Sequence, residues 1–151
     1  MIDGTLTQQG ADATVGAGEA VTVTGLLDQD AGAINASTLT LQGGAEQAAG
    51  ATITATTVEL QGGAAKDYSL GSSANEIVTL RTDGGGVGDV TVGNNGALAL
   101  GDLTAAKLDA TDLELTADGV NVTVTGDAGI KAEKLTQSAG TIQADKITGD
   151  V

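Results

Sequence analysis

The sequence predicts an all-β chain, wound as a single-stranded parallel β-helix (β-solenoid), and three observations predict it. The first is a repeat: Ala31 to Ala45 reads AGAINASTLTLQGGA and Gly50 to Ala64 reads GATITATTVELQGGA, each position displaced by 19 residues. A fixed period near 20 residues that closes on Gly-Gly marks one turn of a stacked coil, and 151 residues hold about seven such turns. The second is alternation. Runs such as Thr38-Leu39-Thr40-Leu41, Thr57-Val58-Glu59-Leu60 and Ile77-Val78-Thr79-Leu80 place apolar residues at every other position, the mark of a half-buried strand. The third is the core inventory: no Pro, Cys, Trp, Phe or His, and one aromatic, Tyr68. A compact globule of this length ordinarily recruits aromatics to fill its centre, whereas small branched aliphatics fill the narrow interior of a coil.

Taken in order, residues 1–30 alternate, as in Ala20-Val21-Thr22-Val23-Thr24, but follow the 19-residue template poorly, as an atypical terminal turn would. Residues 31–64 carry the two clear copies, which align Ile34 with Ile53, Leu39 with Val58 and Leu41 with Leu60. Between 65 and 97 the period loosens around Tyr68, the single Arg81 and the run Asp83 to Gly86, so an irregular turn or a loop is expected there. Alternation returns at Ala97 to Leu100, Leu113 to Leu115 and Val120 to Val124. The whole of 1–151 reads as one domain, and its ends inside the strand pattern suggest a piece of a longer repeat protein.

One hexapeptide links both halves: apolar-x-Ala-x-x-apolar at Ile34 to Leu39, Ile53 to Val58, Leu103 to Leu108, Leu108 to Leu113, Ile130 to Leu135 and Ile142 to Ile147. Two apolar ends five apart cannot both face inward on one straight strand. The hexapeptide must therefore turn a corner, with the small Ala inside the bend. Single turns cannot stand alone. Each buries four or five aliphatic side chains at roughly 1.5–3 kcal/mol, against roughly 1.5 kcal/mol of ordering cost per residue, so stability accrues only on stacking.

Composition also excludes. Twenty Asp plus Glu against six Lys plus Arg give a net charge of −14, which opposes nucleic-acid or anionic-membrane binding because phosphates need clustered cations. No apolar run approaches the ~18 residues of a membrane span, so no membrane insertion is expected, and the start Met1-Ile2-Asp3-Gly4 is not a signal peptide.

The pattern Ile-x-Ala-x-x-Leu-x-Leu-x-Gly-Gly at 31–64, with TADGVNVTVTGDAGIKA further on, resembles the repeats of filamentous haemagglutinin-like exoproteins of the two-partner secretion pathway. The resemblance spans 31–64 and 101–147. It implies a right-handed parallel β-helix from the structural, adhesive shaft of a secreted or surface-displayed bacterial adhesin, a hand that parallel crossovers also favour. Implied partners are a receptor or glycan on a host or neighbouring cell. The alternative is a surface-layer or fibril subunit whose like copies join end to end, with calcium as a possible aid; a polysaccharide-active enzyme ranks below both.

Candidate sites are few. Without His or Cys, the usual activated nucleophiles are excluded, and no catalytic or cofactor-binding residue is assigned: the chain is read as no enzyme. Arg81 with Asp83 and Asp89 is the one cluster able to serve carboxylate chemistry, and a turn with a surface ion pair explains it better. Asp83 and Asp89 are the metal candidates, for calcium, since Asp83 to Asp89 brushes against the nonapeptide of calcium-binding arrays. The spacing departs from that motif because Asp89 directly follows Gly88, and Gly-Asp turn chemistry is the preferred explanation. Thr-x-Thr pairs such as Thr22/Thr24 and Thr38/Thr40 raise an ice-binding face, but their spacing is irregular, and outward strand residues account for them. Asn35 and Asn121 head glycosylation-type triplets.

Overall fold

The computed structural model describes residues 1–16, 18–63, 65–82, 87–95 and 98–100, and after these only strand segments. One wall of the molecule contains β1 (Leu6–Gln8), β4 (Leu27–Gln29), β6 (Ala45–Gln47), β8 (Tyr68–Leu70) and β10 (Val90–Val92), continuing to β13 (Asp112–Leu115), β15 (Ile130–Gln137), β12 (Leu108–Asp109) and β17 (Ile147–Asp150). The other contains β2 (Thr14–Val15), β3 (Val21–Val23), β5 (Ala33–Leu41), β7 (Thr52–Leu60), β9 (Glu76–Thr82), β11 (Leu98–Leu100), β14 (Val122–Thr123) and β16 (Ile142–Gln143). Every pairing described is parallel, and neighbours in each sheet are non-consecutive in sequence, so the chain alternates between the walls and rises one rung per circuit. The protein is an all-β solenoid of about four turns with no helix among the described residues.

The 19-residue displacement is a physical stacking distance. Ile34 pairs with Ile53, Leu39 with Val58 and Leu41 with Leu60 in the β5–β7 ladder. All six are fully buried, so each identity in the repeat is a column of the core. The columns extend: Val21, Leu39, Val58 and Leu80 form one, and Leu27, Ala45, Tyr68 and Val90 another. Ala45 is the narrow member of the second, and it sits directly below the one aromatic ring.

The hexapeptide bends as the side-chain arithmetic requires. In β5, Ile34 and Ala36 point in, Ser37 and Thr38 both point out, and Leu39 and Leu41 point in again. β7 repeats this pattern position for position, with Ala55 inside and Thr56 and Thr57 outside. The ladder passes from the Ala36–Ala55 pair to the Thr38–Thr57 pair, which marks Ser37 and Thr56 as the bend. In β9 the exposed Val78 takes that place and Ile77 replaces the inner Ala.

Glycine makes the second corner, between the end of one wall and the start of the other. Gly62 lies at φ +112° with the carbonyl oxygen of Gln42 where a Cβ would project, so any side chain is both strained and blocked. Gly43 meets the backbone of Gly25 in the turn below, and Gly25 meets that of Gly4: three corners stack so tightly that no Cβ fits between them.

Between 65 and 97 the strands β8, β9 and β10 keep their places in both ladders. The period lengthens there because a corner grows. Residues 42–44 connect β5 to β6, whereas 61–67 connect β7 to β8.

Candidate functional site

With apolar columns inside, what the coil offers a partner is its outward columns. On the second leg of the β5 wall these are Thr22, Thr40, Glu59 and Arg81, one per turn. Parallel stacking sets the last two a strand spacing apart, and the guanidinium of Arg81 donates to Glu59 Oε2 from Nε at 2.9 Å and from Nη2 at 2.6 Å. Gln61 donates to the other oxygen, Oε1, at 2.5 Å, and itself accepts from Gln42 Nε2 at 2.9 Å. Burial alone would raise the Glu59 carboxyl; the hydrogen bonds from Gln61 and Arg81 and the Arg81 charge outweigh it and hold the group below its usual range. The result is a charge-paired polar network across three turns.

Of the candidate cluster Arg81, Asp83 and Asp89, the described residues include Arg81 and Asp89. Arg81 bonds Glu59, a partner that sequence reading passed over. Asp89 is exposed at the start of the opposite wall, just before β10. There its N–H donates to Asp67 Oδ1 at 2.9 Å, and its carbonyl accepts from Tyr68 N at 2.8 Å. Asp83 lies outside the described residues, as does Asn121. Among the described residues no group of three Asp, Glu, His or Cys side chains is placed to hold a metal ion.

Asn35 is half-buried in β5 and continues through Thr54 to Glu76 in an outward column. The Thr-x-Thr pair at Thr38/Thr40 is followed one turn on by Thr57/Glu59 and then by Thr79/Arg81. No flat Thr-x-Thr ladder forms at this face. On the β1 wall the outward column runs Thr7, Asp28, Glu46, Ser69 and Thr91. A shallow depression of about 460 Å³ there is lined by Asp28, Asp30, Glu46, Gln47, Ala48 and Ser69.

The residues missed by sequence reading are inside. Gln8, Gln29 and Gln47 end β1, β4 and β6 and are buried, together with Asn75 and Asn94. Their signal was present: Leu6-Thr7-Gln8, Leu27-Asp28-Gln29 and Ala45-Glu46-Gln47 repeat apolar-x-Gln at the strand ends. Alternation places Gln on the same face as the Leu or Ala two residues earlier, so the pattern demanded a buried amide in each of these three turns.

No family model, no curated protein and no solved structure matches this chain.

Proposed function

We propose that the chain is a non-enzymatic shaft segment of a secreted or surface-displayed bacterial adhesin, which presents its outward columns to a receptor or glycan on another cell. The observation that supports this reading best is the separation of duties in the coil. The Ile, Leu and Val pairs of β5 and β7 serve the inner columns, and the outward columns are mainly Thr, Ser, Asn, Asp and Glu with Arg81, while Met1 and Val78 are the exposed large hydrophobics among the described residues. A stack of that kind is a spacer with a patterned polar surface. Pairings that continue from β10 to β13 and β15, and from β11 to β14 and β16, favour a coil of about seven turns. A right-handed wind is the hand expected of parallel crossovers.

The test couples adhesion to assembly. Beads coated with the full chain should be retained by epithelial or bacterial cell layers above beads coated with heat-denatured chain, while sedimentation gives a monomer with and without calcium. Polymerisation in either condition would favour the surface-layer or fibril reading instead. Equal retention of native and denatured beads would overturn the adhesive role.

A further inference from the structure

The buried amides form one connected, directional column. Asn75 anchors it, because the backbone leaves this side chain a single orientation: its Oδ1 accepts from Ile53 N at 2.8 Å, and its Nδ2 donates to Leu70 O at 3.1 Å and Gly93 O at 3.2 Å. Gln47 faces it, with Nε2 donating to Asn75 Oδ1 at 2.8 Å and Oε1 lying 2.9 Å from Asn75 Nδ2, whose two protons are shared among Gln47 Oε1, Leu70 O and Gly93 O. The orientation passes downward. Gln47 Nε2 donates to Gln29 Oε1 at 3.1 Å, and Gln29 Nε2 donates to Gln8 Oε1 at 3.2 Å. Gln8 Nε2 ends the chain on Ala13 O at 2.7 Å and Ala33 O at 3.1 Å. All the links between glutamines donate toward the amino-terminal turn.

Such a column differs from the apolar ones in what it specifies. Aliphatic layers tolerate sliding and partial opening, since the hydrophobic effect is non-directional. A buried amide that loses its partner is left desolvated, and hydrogen bonds in series polarise one another in a low-dielectric interior. Opening an inner turn, that of Gln29 or Gln47, breaks the column at two places and leaves unpaired groups in the turns above and below.

We propose that this column is the device that couples successive turns, so that the coil opens as a block and not one turn at a time. The property belongs to the described turns themselves and holds whether or not the chain is an adhesive shaft.

Hydrogen exchange followed by mass spectrometry on the full chain tests it. In the wild type, β5, β7 and β9 should share one opening rate. Gln47→Leu keeps the bulk and removes the link, and should separate β9 from β5 by tenfold or more in exchange rate; Gln42→Leu, which cuts the outward Gln42–Gln61 pair, should not. Gln47→Glu supplies a reversible version. Its neutral acid has one O–H, which can keep the bond to Asn75 Oδ1 at low pH but leaves Gln29 Oε1 without its donor, and its carboxylate has no proton for either, so a partial separation at low pH should become the full one as pH rises. A wild type whose turns already exchange independently would overturn the proposal. So would a Gln47→Leu chain that keeps one common rate, or a Gln47→Glu chain unfolded at both pH values, since the column would then be a requirement for folding and not a coupler of self-standing turns.

Discussion

The turns up to Leu60 and those after Tyr68 solve one problem in opposite ways. In the earlier turns the corner after the β1 wall is filled by a Gln from the strand just ended and by an Ile or Val from the strand about to begin, as with Gln29 and Ile34. In the later turn the two chemistries change places. Leu70 stands at the next position of the ladder above Gln47, and Asn75, one residue before Glu76 in β9, stands over Ile53. Each turn still carries one amide and one apolar residue at that corner, and the backbone groups there are satisfied in both. The coil therefore constrains the content of a layer more tightly than the position that supplies it. A long arm reaches forward from a strand end; a short arm suffices when the amide sits in the corner itself.

Gly62, at the junction of the two regions, is the position where a substitution should cost most. Gly62→Ala demands a side chain at φ +112° against the carbonyl of Gln42, which combines backbone strain of about 1–3 kcal/mol with a steric clash. The expected loss is about 4 kcal/mol in denaturant unfolding. If the change costs under about 1 kcal/mol, the longer corner at 61–67 is more yielding than its stacking implies.

The exchange of chemistries can be reversed by design. Leu70→Gln alone puts two amides into one layer, and Asn75→Ile alone leaves Ile53 N, Leu70 O and Gly93 O without their partner; each should cost about 2–4 kcal/mol. The double variant rebuilds the arrangement of the earlier turns, whose corner at residues 9–13 is already as long as the one at 71–75. It should recover about 1–2 kcal/mol relative to the sum of the single changes. Strict additivity in that cycle would show that the two positions do not share a layer.

This exchange also explains what the sequence made legible. Columns that repeat one residue class, Ile34 over Ile53 or Leu41 over Leu60, are visible as a period, and the bend at Ser37 followed from two buried apolar residues five apart. The layer in which Leu and Asn trade places breaks the period without breaking the stack, so residues 65–97 read as irregular although β8, β9 and β10 stay in their ladders. Contacts across turns were harder still. Glu59 and Arg81 are 22 residues apart, a distance that becomes a single rung only once the corner at 61–67 is known to have grown. The candidate at Asp83 and Asp89 rested on a local motif; Asp83 lies outside the described residues, and the backbone of Asp89 ties the corner to Asp67 and Tyr68.

Tyr68 bridges the two regions. Its single hydroxyl proton is shared between Leu41 O, at 3.2 Å, and Gln61 O, at the end of β5 and just past the end of β7. Tyr68→Phe should cost about 1 kcal/mol. Burial pushes the phenol above its ordinary value, against the opposing pull of its backbone hydrogen bonds. A raised folded value means that the stability linked to this group is complete below about pH 10 and declines as pH climbs from there toward the folded value. Alkaline unfolding curves of wild type and Tyr68→Phe should converge, and parallel curves would assign the alkaline loss to other groups.

The smallest expected effect lies on the outer surface, at the pair joining the third turn to the fourth. Arg81 and Glu59 retain 21% and 18% of their side-chain exposure, and solvent screens the charge. Deleting the pair as Glu59→Gln with Arg81→Gln should cost under about 1 kcal/mol, with less loss in high salt. The pH dependence carries the sharper information. The folded Glu59 carboxyl lies below its unfolded value, so its contribution is complete above about pH 5 and is lost as pH falls through the ordinary carboxylate range and into the lowered folded one. Glu59→Gln should flatten that part of the acid limb and leave the alkaline limb to Tyr68. An acid limb unchanged in Glu59→Gln would mean that the network of Gln42, Gln61, Glu59 and Arg81 only decorates the junction between the Gln-filled and Asn-filled turns, and that the interior alone holds them in register.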